Sequence, residues 1–274
     1  MGWREAIVFG KIGLGRSQRS NGSDCLSVEI LYLGRRSRSF RDFITALPDE
    51  AISKPTRSTV PLLRYWAHPE SRLQEFLNGF GLSSSSKTEL AFEHATSVRA
   101  GRGKASFTDL MILMQGQSIA VEAKFTEPRY ETVKEWLGVS PTANRTIVLG
   151  GWLDAIAAIT GNRLSVDDVG DLTYQLIHRT ASVCCAPGPL RVLVYQLFGQ
   201  EHPAHYSEDL LSLAELLGAG ARLQYWINTC PYPPESRWLT WDKTFSLSES
   251  AQTIREAILA DPTKLPVGSF KKVA

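Results

Sequence analysis

The sequence predicts an α/β fold, with a central mixed β-sheet flanked by helices. Three observations carry that expectation. The run Leu110 to Met114 is apolar throughout, as in a strand buried on both faces. Leu190 to Phe198, rich in Val, Leu and Tyr, is a strand of the same kind much later in the chain. Helical patterns stand on both sides of the first run: Leu73, Phe76, Leu77 and Phe80 before it, and the helix candidate Asp171 to Cys185 after it. Helices on either side of a buried strand imply a covered sheet.

Composition permits this and narrows the rest. A chain of 274 residues with 43% hydrophobic content can bury a large core. A net charge of +2 does not mark a bulk nucleic-acid binder, so any basic face is local. The cysteines Cys25, Cys184, Cys185 and Cys230 lack metal-ligand spacing, and adjacent cysteines seldom pair. With no signal peptide in view, a reduced, cytoplasmic protein is expected. No apolar run is long enough for a bilayer, and Trp152 to Thr160 is far too short.

The chain divides into a basic amino-terminal extension with short strands (1–60), a core (61–235) and a carboxy-terminal helical extension packed on it (236–274). In the first part, Arg16, Arg19, Arg35, Arg36, Arg38 and Arg41 surround a strand at Leu26 to Leu33, with a second strand candidate at Ile7 to Phe9. The glycine-rich stretch Lys11 to Arg16 lacks phosphate-loop spacing. Residues 43–60 read as a connection. Helical pieces follow at Leu62 to Trp66 and Glu70 to Phe80, then a polar linker at Ser83 to Ser86. Thr88 to Val98 alternates as a strand and leads through the basic loop Arg99, Arg102, Lys104 into Asp109. Tyr130 to Leu137 reads as a helix. Thr146 to Leu149 suits either a short strand or the entry to the helix Trp152 to Thr160. A helix with a Ser207 N-cap runs to Leu217, a strand covers Arg222 to Thr229, Trp238 and Trp241 lie in a short segment, and a final helix covers Ser248 to Ala260. The tail with Lys271 and Lys272 reads as loose.

The segment Phe107 to Phe125 holds the chemistry. Its second half alternates, with Ile119, Val121, Ala123 and Phe125 on one face and Ala120, Glu122 and Lys124 on the other. A two-residue turn at Gly116-Gln117, glycine first, sets Asp109 opposite Lys124. Glu122 is then the diagonal neighbour of Asp109, about 7 Å away at Cβ. Two carboxylates at that spacing suit one hard divalent cation, Mg²⁺ above all, with the Ala123 carbonyl as a further ligand. Lys124 beside them can orient or deprotonate a water, or stabilise a phosphate. The same letters also suit a cross-strand ion pair on a wetted face, worth under about 1 kcal/mol. The apolar strand that Asp109 begins argues instead for a covered site.

Asp109 followed by Glu122-Ala123-Lys124 on the second arm of a hairpin resembles the PD-(D/E)XK nuclease superfamily. Thr108 stands where the motif's name has proline. The resemblance implies a restriction-endonuclease-like core of helix, three-strand meander, helix and strand over roughly residues 62–230. It implies a Mg²⁺-dependent deoxyribonuclease, an endonuclease, with Mn²⁺ able to substitute. Asp109, Glu122 and the Ala123 carbonyl would hold the metal, with Lys124 serving water and phosphate. Glu75 on the first core helix or Glu93 on the first strand would add an acid. Gln175 and Arg179, four apart and so on one helix face, match a helix with a glutamine and a basic residue seen in several branches, and would either bind phosphate or only cap neighbouring elements. With Arg99, Arg102 and Lys104 they are the expected DNA contacts. Bacterial or phage restriction, defence or processing is the implied setting, and cutting both strands of a duplex would call for a homodimer. The alternative is an inactive nuclease-fold module that binds nucleic acid or a protein partner.

Overall fold

The computed structural model describes residues 27–85, 87–199, 204–218, 220, 222–232, 246–260 and 264–274. The expected strand at 7–9, the glycine-rich stretch at 11–16, Arg16, Arg19, Cys25, Trp238 and Trp241 lie outside the described residues.

The elements run β1 (Ser27–Tyr32), β2 (Arg35–Ser37), α1 (Phe40–Ala46), α2 (Asp49–Ile52), α3 (Thr59–Tyr65), α4 (Pro69–Asn78), β3 (Lys87–Thr96), β4 (Ser106–Met114) and β5 (Gln117–Lys124). They continue with α5 (Val133–Leu137), α6 (Ala143–Thr160), α7 (Val166–Val169), α8 (Tyr174–Cys185), β6 (Leu190–Phe198), α9 (His205–Leu217), β7 (Leu223–Cys230), α10 (Leu247–Ala260) and β8 (Ser269–Lys272). All eight strands form one sheet in the order β2-β1-β3-β4-β5-β6-β7-β8. The β3-β4-β5 meander is antiparallel, whereas β1 joins β3, β6 joins β5 and β7 joins β6 in parallel. The sheet is therefore mixed, as expected.

Strand alternation sorts the core into two layers. Leu90, Phe92, Leu110, Ile112, Ile119, Val121, Val192 and Val194 pack one face against α1 to α4 and α10. Ala91, Met111, Ala120, Leu193 and Tyr195 pack the other against α5, α6, α8 and α9. Asp109, Glu122 and Lys124 share the strand parity of this second face. Among the described residues no helix is long and apolar enough to cross a membrane.

Several expectations need correction. Both end segments add strands to the sheet: β1 and β2 extend one edge and β8 closes the other. The tail read as loose is thus paired, Asn228 with Phe270. The connection at 43–60 contains the end of α1, all of α2 and the start of α3; just before it, Ser39 caps α1 by accepting from the Asp42 amide at 3.1 Å. Thr146 to Leu149 is helical, the second of its two expected readings, and only the helix start moves, to just after the Thr142 cap of α6. Helix α5 is short because its capping box, Thr132 with Glu135, starts it later than Tyr130. Helix α9 begins before Ser207, with Ala204 at its N-cap position.

The hairpin register also differs. Met114 pairs with Gln117 and Leu110 with Val121, so the turn residues are Gln115 and Gly116. Gly116 comes second and takes φ +82°, a conformation that a side chain resists. The shift moves every pairing by two positions, so the faces are unchanged. Continued one step beyond Leu110–Val121, this register brings Asp109 opposite Glu122 rather than Lys124.

Candidate active site

Strands β4 and β5 supply the acids and the lysine at the point where their ladder stops. Past Leu110–Val121 the backbone pairing gives way to a side chain: the Ala123 amide donates to Asp109 Oδ2 at 2.8 Å. Lys124 Nζ donates to Glu122 Oε1 at 2.7 Å. Both side chains are almost sealed from solvent, with side-chain exposures of 2% for Glu122 and 3% for Lys124. Isolated charges at that depth would be very costly, so each needs a partner.

Helix α8 provides those partners. Gln175, Arg179 and Ser182 recur at helical spacing on its buried face. Gln175 Oε1 accepts from Lys124 Nζ at 2.7 Å, and Arg179 Nε donates to Glu122 Oε2. Arg179 Nη1 also donates to Ser106 Oγ at 2.8 Å, and Ser106 Oγ lies 2.8 Å from His178 Nδ1. Tyr130 covers the outer side, its ring centroid 4.5 Å from Lys124 Nζ.

The third acid arrives by a backbone departure. Glu93 in β3 takes φ +49°, and the β3–β4 ladder pairs Phe92 with Leu110 and His94 with Thr108 but omits Glu93 and Asp109. A non-glycine residue in the left-handed region inside a strand is held there by its surroundings.

The charges interact accordingly. Burial pushes the Glu122 carboxyl up, but the Arg179 and Lys124 charges outweigh it and hold the group down at about 2. Burial raises Asp109 well above the usual carboxylate range, and the charge on Glu122 adds to this. Glu93 is raised to about 6 by burial, with Arg179 opposing and Glu122 reinforcing. Burial would lower Lys124, yet Glu122 and Asp109 raise it overall, so its ammonium persists at neutral pH. His178 is lowered to about 3 by burial and then by Arg179, so its ring is neutral there.

The sequence-predicted residues fall into three groups. Asp109, Glu122, Ala123, Lys124, Glu93, Gln175 and Arg179 converge. Gln175 and Arg179 are buried against Glu122 and Lys124, so their bonded atoms brace the site and are not free for a backbone phosphate. Arg99, Arg102 and Lys104 are exposed on the loop before β4, and Asn144 of α6 anchors that loop at Arg102 N (2.8 Å) and O (2.7 Å). Glu75 of α4 is elsewhere, tied to Arg72 at 3.1 Å and Lys264 at 2.5 Å.

Other residues escaped the sequence reading. Lys54, Arg57, Arg129 and Tyr130 line a cleft of about 480 Å³ together with Asp109, Glu122 and Lys124. Ser106 and His178 join the network across a long sequence separation. Only Ser106 carried a signal, three residues before Asp109 on the same strand.

The resemblance implies a divalent cation, and the donors present suit a hard one. Asp109 and Glu122 are carboxylates, and burial, the main cause of the raised Asp109 and Glu93, penalises their charged forms, a cost that a cation would offset. Among the described residues, no group of three His, Cys, Asp or Glu side chains is arranged to hold a metal. Two carboxylates with backbone and water are the usual ligands of Mg²⁺.

A family model described as a domain of unknown function (DUF6946) matches residues 36–234. No curated protein and no solved structure matches the chain.

Proposed function

The chain belongs to the family described as a domain of unknown function (DUF6946), and from its site we propose that it is a metal-dependent nuclease hydrolysing DNA phosphodiester bonds. One observation carries the reading. A buried lysine, raised in pKa, is fixed between Glu122 and Gln175 beside a second carboxylate, at the broken end of a hairpin and at the floor of a cleft rimmed by Lys54, Arg57 and Arg129. A structural ion pair has no need of an open basic cleft. The order of α4, the β3-β4-β5 meander, α8 and β6 further supports a restriction-endonuclease-like core.

In this reading Asp109, Glu122 and the Ala123 carbonyl hold Mg²⁺, with Mn²⁺ as a substitute. The bound cation supplies Lewis-acid charge at phosphorus and a more acidic water. Lys124, being protonated, neutralises a non-bridging phosphate oxygen and orients the water rather than deprotonating it. Glu93, at about 6, is ionised at neutral pH and is the better proton acceptor for that water. Arg179 holds Glu122 ionised. Lys54, Arg57, Arg102 and Lys104 contact the DNA backbone. Restriction, defence or processing of DNA is the matching setting, and cutting both strands of a duplex would pair two such chains.

A second reading, an inactive module of the same fold, draws on the fact that both Glu122 oxygens are already ion-paired. Plasmid and linear DNA incubated with and without Mg²⁺ or Mn²⁺, beside Asp109→Ala, separate the two. Metal-dependent nicking, linearisation or trimming by the wild type, lost in the variant, is expected. No cleavage and no metal effect on stability would leave the binding module.

A further inference from the structure

A second cleft adjoins the site and has different chemistry. It holds about 410 Å³, within the ~300–1,000 Å³ range of small-molecule sites. Phe107, Tyr130, Trp136, Tyr174, His178 and Lys104 are among its lining residues. Phe107 and Tyr130 are large rings left exposed, at 38% and 46%. Phe107 lies two residues before Asp109 and shares its strand parity.

The far wall is a stacked aromatic pair. Trp136 stacks on Tyr174 with centroids 3.9 Å apart and planes 8° from parallel, and Trp152 Nε1 donates to the Tyr174 hydroxyl at 3.2 Å. His178 adds a polar group to this lining. Arg179 Nη1 lies 3.3 Å from His178 Nδ1, and a guanidinium can only donate. Nδ1 therefore accepts, and the network assigns the proton of the neutral ring to Nε2. That N–H has no hydrogen-bond partner among the described residues.

The two clefts adjoin. Tyr130, Gln175 and Arg179 line both this one and the one that contains Asp109, Glu122 and Lys124. A ligand that fills both carries an anionic group and, next to it along a chain, a flat ring with polar edges. We propose that the aromatic cleft receives an unpaired nucleobase of the strand whose phosphate lies at Lys124, so that the substrate is single-stranded or locally unpaired DNA. In a duplex both ring faces are stacked and the pairing edge is occupied, and the base must leave the stack to meet protein rings. The inference deepens the nuclease reading of the neighbouring site and rests on it.

The test measures binding apart from cleavage. Labelled oligo(dT) and an abasic strand of equal length and charge are titrated with the full chain in EDTA, where no strand is cut. The wild type is expected to hold oligo(dT) about tenfold more tightly than the abasic strand, a common size for a single stacked base. Phe107→Ala and Phe107→Leu should remove most of that ratio while abasic binding persists, which also shows that the variants fold. Phe107→Tyr should keep it. Equal affinity for the two strands, binding of neither, or equal loss of both in Phe107→Ala overturns the proposal. Cleavage in Mg²⁺ is scored separately. Base-dependent binding without cleavage removes the nuclease reading and keeps the base site; cleavage without base dependence does the reverse.

Discussion

Arg179 decides the electrostatics of the site at the scale of single residues. It donates to Glu122 and Ser106 from a position only 7% exposed. Removing one partner of a buried pair costs far more than the pair contributes, because the remaining charge keeps its desolvation penalty. Arg179→Ala should therefore lower stability by about 3–5 kcal/mol in urea denaturation, with partial recovery on adding Glu122→Gln. An Arg179→Ala loss that Glu122→Gln leaves unrelieved would mean that Glu122 is not the group being neutralised. His178 supplies a pH signature. Its folded value of about 3 lies below the ordinary 6.5, so between these values the unfolded chain binds a proton that the folded chain refuses. Stability conferred in this way is complete above 6.5 and falls with pH through the window. Glu93 and Asp109, shifted upward, act in the opposite sense, but they are present in both chains when wild type is compared with His178→Gln. The wild type should lose about 2 kcal/mol relative to that variant between pH 7 and pH 5, read from denaturation midpoints. A gap constant with pH would contradict the neutral, buried imidazole.

At the scale of elements, the hairpin explains both what was legible in the sequence and what was not. The alternation of Ile119, Val121 and Ala123 against Glu122 and Lys124 identified the faces. Sliding a two-residue turn by one residue changes each pairing by two, so Glu122 and Lys124 stay on the Asp109 face even though the direct neighbour changes. Periodicity sees faces well and registers poorly. The same limit hid the conformation of Glu93, because nothing in a Thr-Glu-Leu-Ala-Phe-Glu-His run announces a φ of +49°. That conformation makes a prediction. In an ordinary strand Gly is the worse residue, but in the left-handed region Ala is the strained one. Glu93→Gly should be more stable than Glu93→Ala by about 1 kcal/mol. The usual order, Ala above Gly, would show that β3 relaxes to regular strand once the carboxylate is gone. Helix α8 was readable to the extent that i and i+4 fix Gln175 and Arg179 on one face. Their bond partners come from β4 and β5, 51 to 73 positions away, a distance at which local pattern carries no information.

At the scale of the whole molecule, the α/β layering was legible because buried strands and amphipathic helices differ in period and composition. The edges were not. Strand β8 is a polar four-residue piece, and β1 and β2 lie among arginines, so local composition masks their place in the sheet. Lys54 and Arg57 were passed over for a similar reason. They sit in a proline-punctuated connection, and only the fold brings them to the cleft of Lys124. The architecture therefore assembles one basic cleft from a connection before the meander, the end of its last strand and a later helix. The central claim is that Lys124 acts on a phosphodiester there. The most direct measurement is the Mg²⁺-dependent cleavage rate of DNA by Lys124→Ala beside its DNA affinity. The account predicts that cleavage is abolished while binding, carried by Lys54, Arg57, Arg102 and Lys104, survives. Cleavage by the variant at the wild-type rate would contradict it.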